Sequence, residues 1–269
     1  MNKNTKQIVS YINANADVNA EEKRKTIRMS SEGFCVAVVS SQNKLDELVH
    51  YEFAPNLSLK EKVQAIVEIE KNQKYICKER IFRFYTNLNT QIPEEFYTAK
   101  DEQSIIYLLT DKPEQYICTA EKIEAWKLYT VSLREKEFMK EIQMAFPDFE
   151  LSSTMASLMN FTAQQQQEIA LIFVENNNFT VIAANEKGLL GANTFSFSTE
   201  ADFLYYCLAF LRKMFVHSNS LSILLSGNIV EGSSLYNAIG KYFTSVRLVS
   251  PENTEDFPIE NYARYCDLF

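Results

Sequence analysis

Two histidines in 269 residues leave little room for imidazole chemistry, and they stand far apart, at His50 and His217. His50 alternates with apolar residues as in a strand. His217 falls at the end of a helical pattern, where the helix dipole favours a cation. No H-E-x-x-H, paired Cys/His spacing, Walker loop or G-x-S-x-G elbow occurs, so the motif-bearing zinc, P-loop and serine-hydrolase chemistries have no signature here. The five cysteines, Cys35, Cys77, Cys118, Cys207 and Cys266, are odd in number and lack C-x-x-C spacing; they read as reduced core residues. Basic charge is short too. Lys and Arg number 27 against 35 Asp and Glu, for a net charge of -8 and a pI near 5.0, which argues against nucleic acid held on a general basic surface. No apolar run approaches the ~20 residues of a membrane span, and the opening MNKNTKQIVS has no apolar signal core. The expectation is a cytoplasmic protein with no membrane insertion.

What the chain does have is apolar and aromatic mass, 46% and 13% of its residues, enough for two ordinary domains with their own cores. One complete folding unit is visible between Glu168 and Ser250. The alternating runs EIALIFVE (168–175) and FTVIAAN (179–185) are joined by Asn176-Asn177-Asn178, side chains that tolerate the left-handed backbone of a tight hairpin. LLGANTFSF (189–197) is a third strand. Thr199 and Asp202 form a capping box before a helix with Phe203, Cys207, Phe210, Leu211 and Met214 at helical spacing; its aromatics, with Tyr205, Tyr206 and Phe215, are expected in core and domain interface. Then come the apolar strand LSILLS (221–226), the turn GNIVEG, a short helix around SSLYNAIGKYF and the strand SVRLVS (245–250).

The same order opens the chain. After a polar stretch over 1–24, expected to be a short helix or loose arm, KTIRMS, FCVAVVS and ELVHYEFA read as three strands. Ser58 and Glu61 then cap a helix with Leu59, Val63, Ile66 and Val67 on one face. The two copies lie too far apart for a solenoid repeat, whose period is about 20 to 50 residues. In between, strands are expected at KERIFRFYTNL (78–88), SIIYLLT, QYICTA and 126–131, then a helix capped by Ser132 and Glu135 and stopped by Pro147. FELSST returns as a strand and MASLMNFTAQQQQ as a helix or linker. The expected division is 1–125 and 126–269, and the segment PENTEDFPIENYARYCDLF has apolar residues spaced to dock.

Three stretches carry a resemblance: TIRMSSEGFCVAVVS, TNLNTQIPEEF and Leu221–Leu235 with the helix after it. With the duplicated order they resemble domain of unknown function 3822, a Bacteroidetes family with an actin-like ATPase fold. The resemblance implies an α/β (α+β) fold of two ribonuclease-H-like units, each a mixed sheet with three antiparallel strands followed by a helix, around a cleft. In actin-like ATPases the strand before the adenosine site ends in two glycines. Here Gly227 matches the first and Asn228 replaces the second, with Gly232 beyond. Those three residues and Arg28 are the candidate remnants of a nucleotide cleft.

The chemistry of that fold needs an Asp-x-Gly at each first hairpin, a carboxylate for hydrated magnesium and a glycine that lets backbone amides reach phosphate. The first hairpin reads Ile27-Arg28-Met29-Ser30-Ser31-Glu32-Gly33, with Arg28 or Met29 where the carboxylate belongs and Glu32 in the turn. The second reads Ile172-Phe173-Val174-Glu175-Asn176-Asn177-Asn178 and has neither Asp nor Gly. The two-metal nuclease branch of the architecture wants carboxylates on the first strand, and none is there. No catalytic residue, metal ligand or cofactor is expected. The function that follows is a non-catalytic, pseudo-ATPase binding or assembly module with a protein or peptide partner, as in relatives in pilus and secretion machinery; the alternative is an atypical nucleotide binder or ATPase using Glu32 or Glu175.

Overall fold

The structure, a computed structural model, describes residues 3–17, 22–72, 74–215 and 221–269; His217 lies outside them. The chain opens with β1 (Thr5–Ile12), then β2 (Arg24–Met29), β3 (Gly33–Val39) and β4 (Leu45–Phe53). β2, β3 and β4 form an antiparallel meander, as their alternation predicts. β1 departs from the expected helix or arm. It pairs antiparallel with β4 at the sheet edge, where half-buried Val9 and Tyr11 pack on the core and most of the rest of the strand is polar or exposed.

α1 (Leu59–Glu70) begins at the expected capping box. Ser58 Oγ accepts from Glu61 N and Glu61 Oε2 accepts from Ser58 N, which satisfies two of the amides that the first turn leaves free. The helix buries Val63, Ala65 and Ile66. It leads to β5 (Glu79–Phe84), parallel to β2. An excursion follows: β6 (Asn89–Pro93), α2 (Glu102–Leu109), β7 (Tyr116–Ile123) and β8 (Leu128–Glu135), the strands making a separate sheet in the order β6-β8-β7. SIIYLLT is thus helix rather than strand. Ile105 and Ile106 are buried while Tyr107 and Leu108 are exposed, and a short apolar run has no periodicity that separates the two states.

α3 (Lys136–Ala145) returns the chain to the first sheet. Its N-cap is Glu135, without a side-chain cap, and Ser132 lies buried inside β8, so the expected capping box is not formed. α3 packs beside α1 over Ile27, Phe34, Val36 and Phe82. β9 (Glu150–Ser153) then joins β5 in parallel, completing a six-stranded sheet β1-β4-β3-β2-β5-β9. Strand pairing therefore carries the first sheet past residue 125, up to Ser153.

α4 (Thr154–Gln164) connects to the second unit: β10 (Ile169–Glu175), β11 (Asn178–Asn185), β12 (Gly188–Ser196), α5 (Glu200–Met214), β13 (Ser222–Gly227), α6 (Ser234–Gly240) and β14 (Val246–Leu248). Its sheet runs β12-β11-β10-β13-β14, antiparallel through the first three strands and parallel through the last three. This matches β4-β3-β2-β5-β9 strand for strand. α5 starts at the expected Thr199–Asp202 capping box, and α5 and α6 cover one face through Phe203, Cys207, Leu211 and Ile239. Phe203 and Phe210 thus serve this core, while Tyr205 and Tyr206 stay at the surface. α4 covers the other face through Met155, Leu158 and Met159.

The segment 256–269 lies between the two sheets. Tyr265 and Leu268 pack on Cys35, Ala37 and Leu48 of the first sheet, while Ala263 and Cys266 belong to the core of the second. All five cysteines are free, four buried and Cys118 half-buried. Among the described residues no helix is long and apolar enough to cross a membrane.

Candidate functional site

The β2–β3 hairpin, the β10–β11 hairpin and the end of β13 come together, as the duplicated order implies. In the first hairpin Ser30 N donates to Gly33 O at 2.9 Å and Gly33 N donates to Ser30 Oγ at 3.2 Å, a self-contained tight turn. A Cβ on Gly33 would stand 2.2 Å from Tyr51 O. This glycine therefore serves close approach to β4, not to a ligand. In the second hairpin Asn176 takes the left-handed conformation, φ +51°, which its short amide side chain tolerates.

Side chains then join the loops. Asn228 Nδ2 donates to Asn176 Oδ1 at 3.3 Å, and Asn176 Nδ2 donates to Ser31 Oγ at 3.1 Å. Lys62 Nζ adds a bond to Ser31 O at 2.8 Å. The Ser31–Asn176–Asn228 chain thus links the three loops through exposed side-chain hydrogen bonds. Glu32 is exposed and Glu175 is buried. Burial raises the Glu175 carboxyl above its usual range, with Arg28 pulling the other way. Among the described residues no three His, Cys, Asp or Glu side chains gather; magnesium beside phosphates needs only one or two carboxylates, and neither hairpin supplies an Asp. The residues present do not fit a magnesium–triphosphate.

Gly227 has φ +81°, and a Cβ there would lie 2.1 Å from Val174 O, which accepts from Asn228 N at 2.7 Å. Gly232 also has positive φ, +77°, but its Cβ position is open, and its carbonyl accepts from Asn237 Nδ2 at 2.8 Å. Asn228 faces the second hairpin. Arg28 lines a small cavity together with Glu32, Glu175 and Asn228; it is buried, donating to Asp267 Oδ1, to Arg264 O at 3.2 Å and to Cys35 Sγ at 3.8 Å. Burial disfavours its charge, yet Asp267, Cys35 and Glu175 together outweigh this and hold the guanidinium above its ordinary pKa. Burial pushes the neighbouring Cys35 thiol up to about 11.

His50 is the strand residue expected. Its Nδ1 lies 3.0 Å from Tyr265 Oη, and burial, then Arg264 and Arg28, push it down to about 3, so it stays neutral. Asp267 and Tyr265 were invisible as partners in sequence, since 239 and 215 residues separate them from Arg28 and His50.

Beside the joined loops an open cleft of about 490 Å³ runs between the first hairpin, α1, α3 and the three-stranded sheet. Its walls include Leu59, Phe84, Leu133 and Phe138, with Lys62 and Arg134 as cations.

Comparison with solved structures finds this arrangement elsewhere. A Bacteroides thetaiotaomicron protein with actin-like ATPase fold and unknown function superposes with a TM-score of 0.76 at 18% identity, over 89% of this chain and 95% of that one. The PilM–PilN type IV pilus biogenesis complex gives 0.62 at 10% identity, covering 92% and 97%. The ethanolamine utilization protein EutJ from Carboxydothermus hydrogenoformans gives 0.52 at 5%, covering 94% and 89%. At such identities the likeness is one of fold, and the fold is the actin-like ATPase fold. No curated protein matches the chain. The family described as protein of unknown function (DUF3822) matches over residues 13–246, most of the length, and the chain belongs to that family.

Proposed function

We propose that this protein is a non-catalytic actin-like module that works by binding a protein or peptide partner in the cytoplasm, its two units dividing between β9 and β10. The observation that carries this reading is the Ser31–Asn176–Asn228 chain, which ties together the three loops that a nucleotide would separate. The absence of Asp from both hairpins and the commitment of Arg28 to Asp267 support it. The cleft of about 490 Å³ is within the size range of ligand sites, and its walls mix the apolar Leu59, Phe84, Leu133 and Phe138 with polar and charged side chains. That a protein of the same fold, PilM, is found in a complex with PilN is support by analogy of fold alone.

The test is isothermal titration with ATP, with and without magnesium. The expected result is no magnesium-dependent heat and no phosphate release. Micromolar binding that requires magnesium and is lost in Glu32→Ala or Glu175→Ala would overturn the reading in favour of an atypical nucleotide binder.

A further inference from the structure

The three-stranded sheet ends in a strand with one side open. β7 pairs with β8, and among the described residues no strand lies on its other side. Leu133 N donates to Leu88 O at 2.8 Å, so Leu133 of β8 turns its backbone toward β6. Cys118 stands opposite Leu133. Its N–H and C=O therefore point away from β8, and those of Tyr116 and Ala120, two residues to either side, do the same. The Tyr116 amide closes the preceding turn on Pro113 O. The Tyr116 carbonyl, both Cys118 groups and the Ala120 amide have no backbone partner among the described residues. Farther along, Glu121 accepts from Ser153 N and Ile123 packs against α4, which limits the open edge to 116–120. Its two faces are lined differently. Tyr116 and Cys118 share an open hollow with Glu102, Ile106 and Tyr107 of α2, while Met139, Lys140 and Met144 of α3 line a second; Ile117 and Lys136 border both. Tyr107 is 65% and Met144 61% exposed.

We propose that the 116–120 edge of β7 receives an extended segment of a partner protein by strand addition, with apolar side chains on the α2 side alternating with Asp or Glu on the α3 side. A row of outward backbone groups is matched by another extended chain and not by a helix, whose own groups are used internally. Such a chain drops successive side chains onto opposite faces, and here each face has a hollow to take them. Charge sets the pattern. The α3 hollow holds Lys136 and Lys140 and no acid, one helical turn apart and so on one side of the helix. Lys136 Nζ donates to the uncharged Glu114 O at 2.6 Å. The α2 hollow carries Glu102 and Glu114 beside Lys136 and offers its apolar wall instead. Pairing of β7 with β7 of a second copy would bring both sets of lysines to one face, which disfavours that occupant. The proposal rests on the partner reading above and adds a place and a conformation, on a surface that adjoins the cleft at Tyr116.

The test uses two arrays of short capped peptides in which Val, Ile, Leu or Phe alternates with a charged residue, Glu in one array and Lys in the other. The Glu peptides are expected to bind more tightly by about fivefold or more, since opposite charges replace like charges at two lysines. A bound Glu peptide is expected to slow hydrogen exchange at the Cys118 and Ala120 amides. N-methylation along that peptide should abolish binding at every second residue only, the signature of a strand. Cys118→Pro removes an outward donor and leaves the β8 ladder intact, and is expected to weaken binding about tenfold; the exchange and N-methyl measurements on the wild-type protein stand even if this variant folds poorly. Protection at other amides, or no alternation in the N-methyl series, would overturn strand addition at β7. A dimer of the protein alone that protects the same amides would give the edge to a second copy and overturn the proposal, as would binding of neither array. The titration with ATP judges the partner reading separately, so either can fail without the other.

Discussion

Gly227 is where one side chain's absence matters most. Its φ of +81° lies in the left-handed region, and Val174 O occupies the space a Cβ would take. Gly227→Val should therefore destabilise the protein by at least about 1–3 kcal/mol, from strain and clash together. An unchanged denaturation midpoint would show that β13 can shift away from β10 at no cost. The sequence indicated this residue because a glycine directly after an apolar strand marks a turn or a close approach. It gave no indication that Asn228 and Asn176 would bond to each other, with 52 residues between them.

His50 supplies a pH dependence with a definite sign. Its folded pKa, about 3, lies below its ordinary value of 6.5, so the unfolded chain takes up the proton first as pH falls. Its share of stability is whole above about pH 6.5 and is lost progressively toward pH 3. Glu175, raised by burial, acts in the opposite direction, so the informative quantity is a difference between proteins. His50→Gln should lose stability less steeply than wild type across this window, measured by urea midpoints at stepped pH. Parallel curves would mean that His50 protonates freely in the folded state.

Among the elements, the segment 256–269 does most to join the two sheets. Its Asp267 is the buried counter-charge of Arg28. Asp267→Ala leaves a guanidinium without its partner in the interior and should cost about 3–5 kcal/mol in urea denaturation. The double variant Arg28→Met, Asp267→Leu should be more stable than the single one, because it removes both charges. If the single variant unfolds at the wild-type midpoint, the pair contributes nothing and the segment is held by its apolar contacts alone. That this segment would dock was legible in its spaced Phe257, Tyr262, Tyr265 and Leu268. Other elements were harder to read. β1 lies at an edge and turns just Val9 and Tyr11 to the core, too short a pattern to mark a strand, and α2 hides its helical character in eight residues with only Ile105 and Ile106 buried.

For the whole molecule, the duplicated strand order was legible because each half repeats the local signals: turns, capping boxes and a three-strand meander before the first helix. The separate sheet β6-β8-β7 was not, because it and α2 interrupt the first unit's strand order between β5 and α3. Such an insertion leaves local patterns intact and breaks only the pairing between β5 and β9. The relation between the hairpins was equally hidden, since Ser31 and Asn176 stand 145 residues apart.

The placement of the segment 256–269 also sets the order in which the chain can finish folding. β2, β3 and β4 are synthesised early, yet one face of their sheet is covered by Tyr265 and Leu268, made more than 200 residues later. While synthesis proceeds from the first end, the apolar surface of Ala37 and Leu48 has no cover of its own, and contacts so distant in sequence close slowly. The early half of this protein thus waits for the late half, and in that interval the uncovered sheet is the surface a chaperone would meet.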